Sequence, residues 1–446
     1  MRASAFKYSL LSFLLATASL IIILLPYHAL MTVWAASNFG HYTLFRLWKE
    51  FLVFILGLGV IWLFIFDRKV RLHTLRHKLT WLIAAYVVLD LIVAATAYLG
   101  HGVSGKAMAY GLLDDLRFLA FFVICWAIAV RTDRFSKRWY KLMIWPAVLV
   151  VVFGLLQMSV LPANVLAHFG YGPKTIMPFE TINHNSHYIR ILSTLRGANP
   201  LGAYLIVPIS ALVVLLARYP KSWNWTKVLL LAGALVVLIG SYSRAAWIGA
   251  LLACAFIGIA SIKGEFIKRY KLQFSVAAGV LVILAAGVAY AFHSSTRFQN
   301  IIFHTQTHSS SPVSSDQAHL SALRSGLKAV VRTPLGRGPG TSGPASVYNH
   351  DAPARIPEDY FLEIGEETGI LGLVLFVSIN VTIGYLLWRR RRSPFAFAML
   401  ASLIGITFVN LLSLAWTDDT LSYIWWGLAG VALAMPADAK TAHTKR

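Results

Sequence analysis

The stretch MIWPAVLVVVFGLLQM, residues 143–158, contains no charged side chain and no alternation of polar and apolar positions. Such a run is typical of a membrane-spanning helix, which needs about 20 apolar residues to cross roughly 30 Å of hydrocarbon. Similar runs recur along the chain, in which 58% of the 446 residues are hydrophobic and only 13% are charged. A soluble globule would need more polar surface, and a membrane β-barrel would show alternating strands. The sequence therefore predicts an all-α polytopic membrane protein with a single membrane domain over residues 1–446.

About twelve membrane-spanning helices are predicted from these runs. They cover residues 9–30, 51–66, 79–99, 111–130, 142–158, 200–217, 228–242, 246–262, 274–292, 369–388, 395–414 and 421–436. Lys and Arg concentrate in alternate connections and at both ends, and these segments hold 26 of the 40 cationic residues. This positive-inside pattern places both termini in the cytoplasm. Topology thus explains most of the net charge of +22, and the composition does not favour nucleic acid as a partner.

Two predicted outer loops are long, residues 161–199 and residues 293–368. In the second loop, apolar residues recur at helical spacing over 316–332, which predicts an amphipathic helix. Arg324 and Lys328 follow each other at i and i+4 beside the apolar stripe. Because topology does not explain cations on the outer side, this face suits either anionic lipid headgroups or a site that binds an anion.

The segment after this helix is rich in glycine and then returns to a helical pattern. Residues 333–343 read TPLGRGPGTSG, which suits either close approach of the backbone to a ligand or a plain turn. Residues 356–363 read IPEDYFLE, with Pro357 at the expected first helical position and Glu358 and Asp359 in the first turn. We therefore expect a helix that holds both carboxylates at the membrane surface and continues into the tenth span.

Three arginines stand on the predicted outer side beside the spans. Arg244 lies in the tight connection between spans seven and eight, and Arg190 and Arg196 precede the sequence GANPLG at residues 197–202. Cations there oppose the orientation rule. Each side chain either extends to the lipid headgroups or binds an anion at the membrane surface.

Three charged residues fall inside the fourth span, where an unpaired charge at mid-bilayer costs roughly 2.5–3.5 kcal/mol. They are Asp114, Asp115 and Arg117. Pairing of Asp114 with Arg117 at i and i+3 is a sufficient explanation, and a position in the wall of a cavity is the alternative.

Two histidine pairs have a spacing seen in metal sites, His184 with His187 and His304 with His308. Both pairs lie in polar loops without a thiolate or carboxylate that would complete a ligand set, so no metal site is expected. The two cysteines lie within spans and are expected to be packing residues.

Arginines that converge at a membrane surface suit a lipid-linked diphosphate, because the guanidinium fork matches phosphate oxygens. In a glycosyl transfer from such a carrier, negative charge develops on the leaving diphosphate, and fixed cations stabilise it. Glu358 is then the candidate general base for the attacking hydroxyl.

Four ordered blocks between residues 185 and 380 carry a resemblance to a known family. They are RGANPLGAYL at 196–205, SRAAW at 243–247, the segment 324–338, and YFLEIGEETGILG at 360–372. Together with the large loop before the tenth span, these blocks resemble the O-antigen ligase and O-antigen polymerase superfamily of bacterial membrane glycosyltransferases.

The resemblance implies a GT-C-like, metal-independent glycosyltransferase without a cofactor. Such an enzyme moves a glycan from undecaprenyl diphosphate to a lipid or cell-wall acceptor on the outer face of the bacterial plasma membrane, in the synthesis of lipopolysaccharide or another surface polysaccharide. It also implies that Arg196, Arg244 and Arg324 hold the diphosphate. Arg190 and Lys328 are added as donor-binding candidates, and Asn199, Asp359 and Arg337 as supporting residues.

One position departs from the family pattern. Where members commonly carry a His-Asn pair before the tenth span, this chain has Glu358 and Asp359. Either Glu358 replaces the histidine as base, or His350 reaches the site from the adjacent loop, or catalysis is lost.

The identity of the acceptor distinguishes a ligase from a polymerase. A ligase moves a finished glycan to another molecule, and a polymerase extends the glycan on its carrier. A lipid-linked glycan transporter is a third possibility, but the two halves of the chain show no inverted repeat.

Overall fold

A computed structural model describes residues 2–182, 185–218, 224–261, 315–350 and 353–437. The predicted ninth span at 274–292, much of the second long loop and the histidines at 184, 304 and 308 lie outside these residues. Within the described residues the chain is mostly helical, with one short antiparallel hairpin. The prediction of an all-α membrane protein is confirmed at this level.

The described residues form sixteen α-helices, numbered in chain order. They are α1 (Arg2–Leu24), α2 (His28–Phe39), α3 (Tyr42–Arg46), α4 (Trp48–Phe66), α5 (Arg68–Leu75), α6 (Lys78–Leu99), α7 (Gly105–Ala129), α8 (Arg134–Lys137), α9 (Trp139–Ser159), α10 (Ala198–Arg218), α11 (Trp225–Gly240), α12 (Arg244–Ser261), α13 (Ser315–Arg332), α14 (Tyr360–Trp388), α15 (Pro394–Asn410) and α16 (Asp419–Leu433). The hairpin consists of β1 (Glu180–Ile182) and β2 (Asn185–Arg190), in which Glu180 pairs with Arg190. Short 3-10 helices cover Leu25–Tyr27, Val165–Phe169, Pro344–Tyr348 and Ala415–Thr417.

Seven segments of the described chain are long and apolar enough to cross a membrane. They are Lys7–Phe39, Trp48–Phe66, Lys78–Leu99, Trp139–Ser159, Ala198–Arg218, Arg244–Ser261 and Tyr360–Trp388. Helices α11 and α15 are apolar but shorter. Each predicted span within the described residues overlaps a helix, but the span 9–30 is divided by the 3-10 helix Leu25–Tyr27, and α7 and α16 are not among the seven segments. The count of twelve stays a prediction.

Burial separates an inner helix from an outer ring. Every residue of α16 is buried, whereas α4 exposes large apolar side chains such as Phe51, Phe54 and Leu58. Small residues allow close packing of α16 on α7, because a Cβ added at Gly430 would lie 2.4 Å from the Phe122 carbonyl oxygen. In a lipid bilayer the hydrophobic effect does not drive helices together, so helices associate by close packing at small residues.

Helix α14 departs from the prediction at both ends of its first segment. It begins at Tyr360 and not at Pro357, because the Asp359 side chain caps the helix by accepting a hydrogen bond from the Leu362 N–H at 2.9 Å. Glu358 therefore lies outside the helix. The helix is also interrupted at Gly369, where φ is 74° and ψ is −176°, so residues 360–368 form a separate segment before the predicted tenth span.

The glycine-rich segment 333–343 packs against the protein's own helices. A Cβ at Gly340 would lie 2.2 Å from the Ala107 carbonyl oxygen, and one at Gly343 would lie 1.6 Å from Glu363 Oε1. The N–H groups of Gly340 and Ser342 both donate to Glu367 Oε1, at 2.8 and 3.0 Å. The glycines therefore allow close approach of the backbone, as one of the two alternatives predicted, but the backbone approaches α7 and α14 of the protein itself.

Replacing Gly369 with alanine is expected to destabilise the protein. The backbone conformation at Gly369 is essentially restricted to glycine and costs roughly 1–3 kcal/mol for a residue with a Cβ, and that Cβ would lie 2.4 Å from the Pro334 carbonyl oxygen. Thermal unfolding of the purified protein in detergent, followed by tryptophan fluorescence, should show a lower midpoint for Gly369→Ala. Gly258→Ala is the matched control, since an added Cβ there meets open space. Equal midpoints for the two variants would contradict the interpretation of the kink.

Candidate active site

A cavity of about 580 Å³ opens at one end of the bundle. Its wall combines α2, α3, the start of α10, helix α13, the segment before α14 and the start of α16. The charged and polar side chains that line it include His28, Tyr42, Arg46, Glu180, Arg196, Asn199, His319, Glu358, Asp418 and Asp419. Among the predicted site residues, the cavity therefore brings together Arg196, Asn199 and Glu358.

The floor of the cavity is an ion network around Asp419, the first residue of α16. Its Oδ1 lies 2.6 Å from an Arg117 guanidinium nitrogen, and its Oδ2 lies 2.8 Å from Lys49 Nζ. Lys49 and Arg117 are both buried. Because a buried charge is stable only when it is paired and hydrogen-bonded, the carboxylate of Asp419 anchors both cations.

Two more carboxylates complete this network. Glu50 lies 3.0 Å from Lys49 Nζ, and Asp114 lies 3.0 Å from the Arg117 guanidinium. Arg117 also donates to the Thr417 carbonyl oxygen at 2.8 Å. The predicted pairing of Asp114 with Arg117 at i and i+3 is thus confirmed, while the connection to α4 and α16 was not foreseen.

His28 lines the cavity, but its ring belongs to the same network. Trp48 Nε1 donates to His28 Nδ1 at 2.9 Å. Since an indole nitrogen can only donate, Nδ1 acts as an acceptor and carries no proton. The other ring nitrogen faces Asp419 Oδ2 at 3.6 Å and Lys49 Nζ at 3.2 Å. Both nitrogens of His28 are therefore occupied by protein groups.

Arg196 is held at the rim by Asp418. The Arg196 Nε lies 2.6 Å from Asp418 Oδ2, and Asp418 Oδ1 caps α16 by accepting from the Leu421 N–H at 3.0 Å. The Arg196 side chain is 46% exposed. Its two terminal guanidinium nitrogens have no partner among the described residues, so they are available to an anion in the cavity.

Arg46, at the end of α3, is a cavity residue that the sequence analysis missed. No acidic side chain pairs with it in the part of the chain that the structure describes. The available signal was its charge, because Arg46 and Lys49 are among the cations that lie outside the basic segments. Arg46 and Arg196 give the cavity two guanidinium groups with free donors.

Arg190 ties the hairpin to the helices next to the cavity. Its nitrogens contact Glu180 Oε2 at 3.2 Å, Asn199 Oδ1 at 2.6 Å and the Ser241 carbonyl oxygen at 3.0 Å. Burial lowers the pKa of Arg190 against the opposing effect of Glu180, and the nearby charge of Arg244 lowers it further. Arg190 thus has its donors engaged by protein, and the half-buried Arg244 lies close by at the start of α12. Neither is a wall residue of the cavity.

Glu358 lines the cavity from an unusual backbone conformation. Its φ is 58°, in the left-handed region that side chains with a Cβ rarely adopt. Its carboxylate Oε2 contacts Nδ1 of His319, a second cavity residue that the sequence analysis did not single out. The expectation that Glu358 stands on a rigid helix is wrong, since it precedes the cap of α14.

The other predicted residues lie outside the cavity wall. Arg324 and Lys328 are exposed on α13, and His350 is exposed after the 3-10 helix at 344–348. Arg337 is half-buried, and its N–H donates to the Glu366 carbonyl oxygen at 3.0 Å. Burial raises the pKa of Asp359, against the effect of its hydrogen bonds with the Leu362 and Phe361 N–H groups. Their proposed roles in donor binding or catalysis stay predictions.

Comparison with known families supports the resemblance drawn from the sequence. Residues 228–377 match the Wzy_C family model, described as O-antigen ligase. No curated protein sequence matches the chain. The matched region contains most of α11, all of α12 and α13, and the first part of α14. It therefore includes His319 and Glu358, while Arg46 and Arg196 precede it.

Replacing Asp419 with asparagine is expected to destabilise the protein by about 3–5 kcal/mol, because it leaves two buried cations without their shared carboxylate. Denaturant or thermal unfolding in detergent measures the change. Asp133→Asn removes one carboxylate from a solvent-exposed pair with Lys137 and should leave stability unchanged. Equal stability of Asp419→Asn and wild type would show that the network does not hold the cavity floor.

Proposed function

We propose that this chain, which belongs to the O-antigen ligase and polymerase superfamily, transfers a glycan from a polyprenyl diphosphate carrier to an acceptor hydroxyl. The observation that carries the proposal is the meeting of two available guanidinium groups, Arg46 and Arg196, with the carboxylate of Glu358 in one cavity. The donor is undecaprenyl diphosphate-linked glycan, and the cavity opens on the outer face of the bacterial plasma membrane.

The two arginines suit the diphosphate of the donor. A planar guanidinium donates two parallel hydrogen bonds to phosphate oxygens and keeps its charge at any physiological pH. Asp418 fixes Arg196 through Nε and leaves the two terminal nitrogens for the ligand. Volumes of roughly 300–1,000 Å³ are usual for ligand sites, so a cavity of about 580 Å³ accepts the diphosphate and the reacting sugars. The prenyl chain then lies in the lipid.

The reaction is a displacement at the anomeric carbon. The acceptor oxygen forms a bond to that carbon, the bond from the carbon to the phosphate oxygen breaks, and its electron pair leaves with the diphosphate. Arg46 and Arg196 stabilise the charge that develops there. The proton of the acceptor hydroxyl passes to an acid–base group of the cavity that includes Glu358. Every step uses side chains of the protein, without a metal.

The exposed cations of α13 fit a second role. Arg324 and Lys328 are exposed and do not line the cavity. A basic helix face at a membrane surface attracts anionic lipids, so this face increases the local concentration of the anionic donor. Arg244 and Arg190 act behind the wall, where Arg190 orients Asn199. Ligase and polymerase share this donor chemistry, and the acceptor that is used separates them.

Replacing Arg46 with alanine should weaken donor binding roughly 10- to 100-fold, since a charge-assisted hydrogen bond contributes about 1.5–3 kcal/mol. The assay uses full-length protein in nanodiscs and a fluorescent undecaprenyl diphosphate glycan, and measures binding and transfer separately. Lys174→Ala is the matched control, because Lys174 is an exposed cation near the hairpin and outside the cavity wall.

Arg324→Ala belongs in the same series. If it reduces binding and Arg46→Ala does not, the donor is held on the face of α13 and the assignment of the cavity is wrong.

Glu358→Gln should reduce transfer roughly 10²- to 10⁴-fold with donor affinity kept, because acid–base catalysis contributes factors of that size. Lipid-linked and free glycan acceptors are supplied together, so that the product also identifies ligase or polymerase activity. Full transfer by Glu358→Gln would remove Glu358 from the reaction. If wild-type protein binds the donor but transfers it to none of these acceptors, the transporter alternative takes the place of the enzyme.

A further inference from the structure

We infer that the general base of the proposed transfer is His319, and that Glu358 orients it. This inference rests on the proposed function and assigns the proton transfer to a side chain that arrives from the amphipathic helix. It starts from the two histidines that line the cavity, His28 and His319. His28 is engaged at both ring nitrogens by Trp48, Lys49 and Asp419, which leaves His319 as the imidazole that faces the cavity.

The contact between His319 and Glu358 fixes the ring. Glu358 Oε2 meets Nδ1 of His319, so the proton of the neutral imidazole stays on Nδ1 and Nε2 presents its lone pair. Among the described residues, no hydrogen bond or ion pair engages Nε2. A carboxylate on one imidazole nitrogen selects the tautomer and stabilises the imidazolium that forms when the other nitrogen takes a proton.

The chemistry of the two groups favours this division of roles. An ordinary imidazole has a pKa near 6.5 and an ordinary glutamate a pKa near 4.3. A general base is most effective when its pKa lies near the working pH. At neutral pH an imidazole therefore removes a hydroxyl proton more readily than a carboxylate does, and the carboxylate is better used as the stabilising partner.

Packing brings the two side chains together. Helix α13 lies directly on the first segment of α14, because a Cβ added at Gly326 would lie 3.1 Å from Leu362 and one at Gly365 would lie 2.9 Å from Val330. Glu358 lies two residues before this segment, and its φ of 58° is in the left-handed region that residues with a Cβ rarely adopt. Strained conformations of this kind persist where the surroundings enforce them and cluster at functional sites.

The proton balance is complete with protein groups and water. The acceptor hydroxyl loses its proton to His319 Nε2 as its oxygen bonds to the anomeric carbon, and the diphosphate leaves with the electron pair of the broken bond. The imidazolium is stabilised by Glu358 through Nδ1–H. The side chain of His319 is 43% exposed, so its proton passes to water after the products leave.

The test uses His319→Ala in full-length protein in nanodiscs, with donor binding and transfer measured separately. We expect transfer to fall roughly 10²- to 10⁴-fold while donor binding is kept. Added imidazole should restore transfer at least tenfold in this variant, because the exposed cavity admits a small base; a purely structural role would not respond to imidazole. His168→Ala, an exposed histidine outside the cavity wall, should behave as wild type with and without imidazole.

The double variant His319→Ala with Glu358→Gln separates the two roles. If Glu358 acts through His319, the double variant is no slower than His319→Ala alone, since residues that act as a unit are not additive. Full transfer by both His319→Ala and His319→Gln overturns the inference and returns the base to Glu358. Loss without imidazole rescue, in a folded variant that binds donor, also overturns it. If the wild-type protein itself shows no transfer, the proposed function is refuted, and not the role of His319 alone.

Discussion

The pairing of Asp419 with Lys49 and Arg117 is the interaction on which the cavity end of the bundle depends. It joins the first residue of α16 to α4 and α7 through contacts of 2.8 and 2.6 Å, where all three side chains are buried or nearly so. A buried ion pair adds little net stability over an apolar pair, but removal of one partner leaves a buried charge uncompensated, so the pair disfavours arrangements in which the partners are apart. Helix α16 is buried along its whole length, and its apolar surface alone would allow it to slide or rotate. The network fixes its height and its rotation.

The two consecutive carboxylates at the start of α16 have different partners: Asp419 pairs with the buried cations, and Asp418 pairs with Arg196 at the rim of the cavity. Asp419 points into the protein and holds the floor, whereas Asp418 caps the helix with one oxygen and holds Arg196 with the other. The position of Arg196, the arginine proposed to bind the donor, is thereby coupled to the start of α16. A flexible guanidinium loses side-chain entropy when it binds an anion, and an arginine already held at Nε has lost part of it beforehand.

Most features that depend on residues close together in the chain were predicted correctly from the sequence. Apolar runs correctly indicated the helices within the described residues, and the spacing of Asp114 and Arg117 predicted their contact. The helix start at Pro357 was wrong, because the pattern of proline followed by carboxylates also fits an Asp359 cap two residues later. The partnership of Lys49 with Asp419 and the meeting of His319 with Glu358 follow from tertiary packing, and neither spacing nor composition specifies such distant pairs.

The cavity is lined by residues from the region that matches the family model and by residues that lie outside it. Residues 228–377 match the O-antigen ligase family and carry His319 and Glu358, the groups assigned to proton transfer. Arg46, Arg196 and Asp418 lie outside the match. Several different arrangements of arginines can bind a diphosphate, because each guanidinium group matches phosphate oxygens. Removal of a proton from a bound hydroxyl requires the base and the hydroxyl in one narrow geometry. In the proposed reaction the matched region therefore supplies the groups for proton transfer, and the cavity is completed by residues that precede the match, among them Arg46 and Arg196.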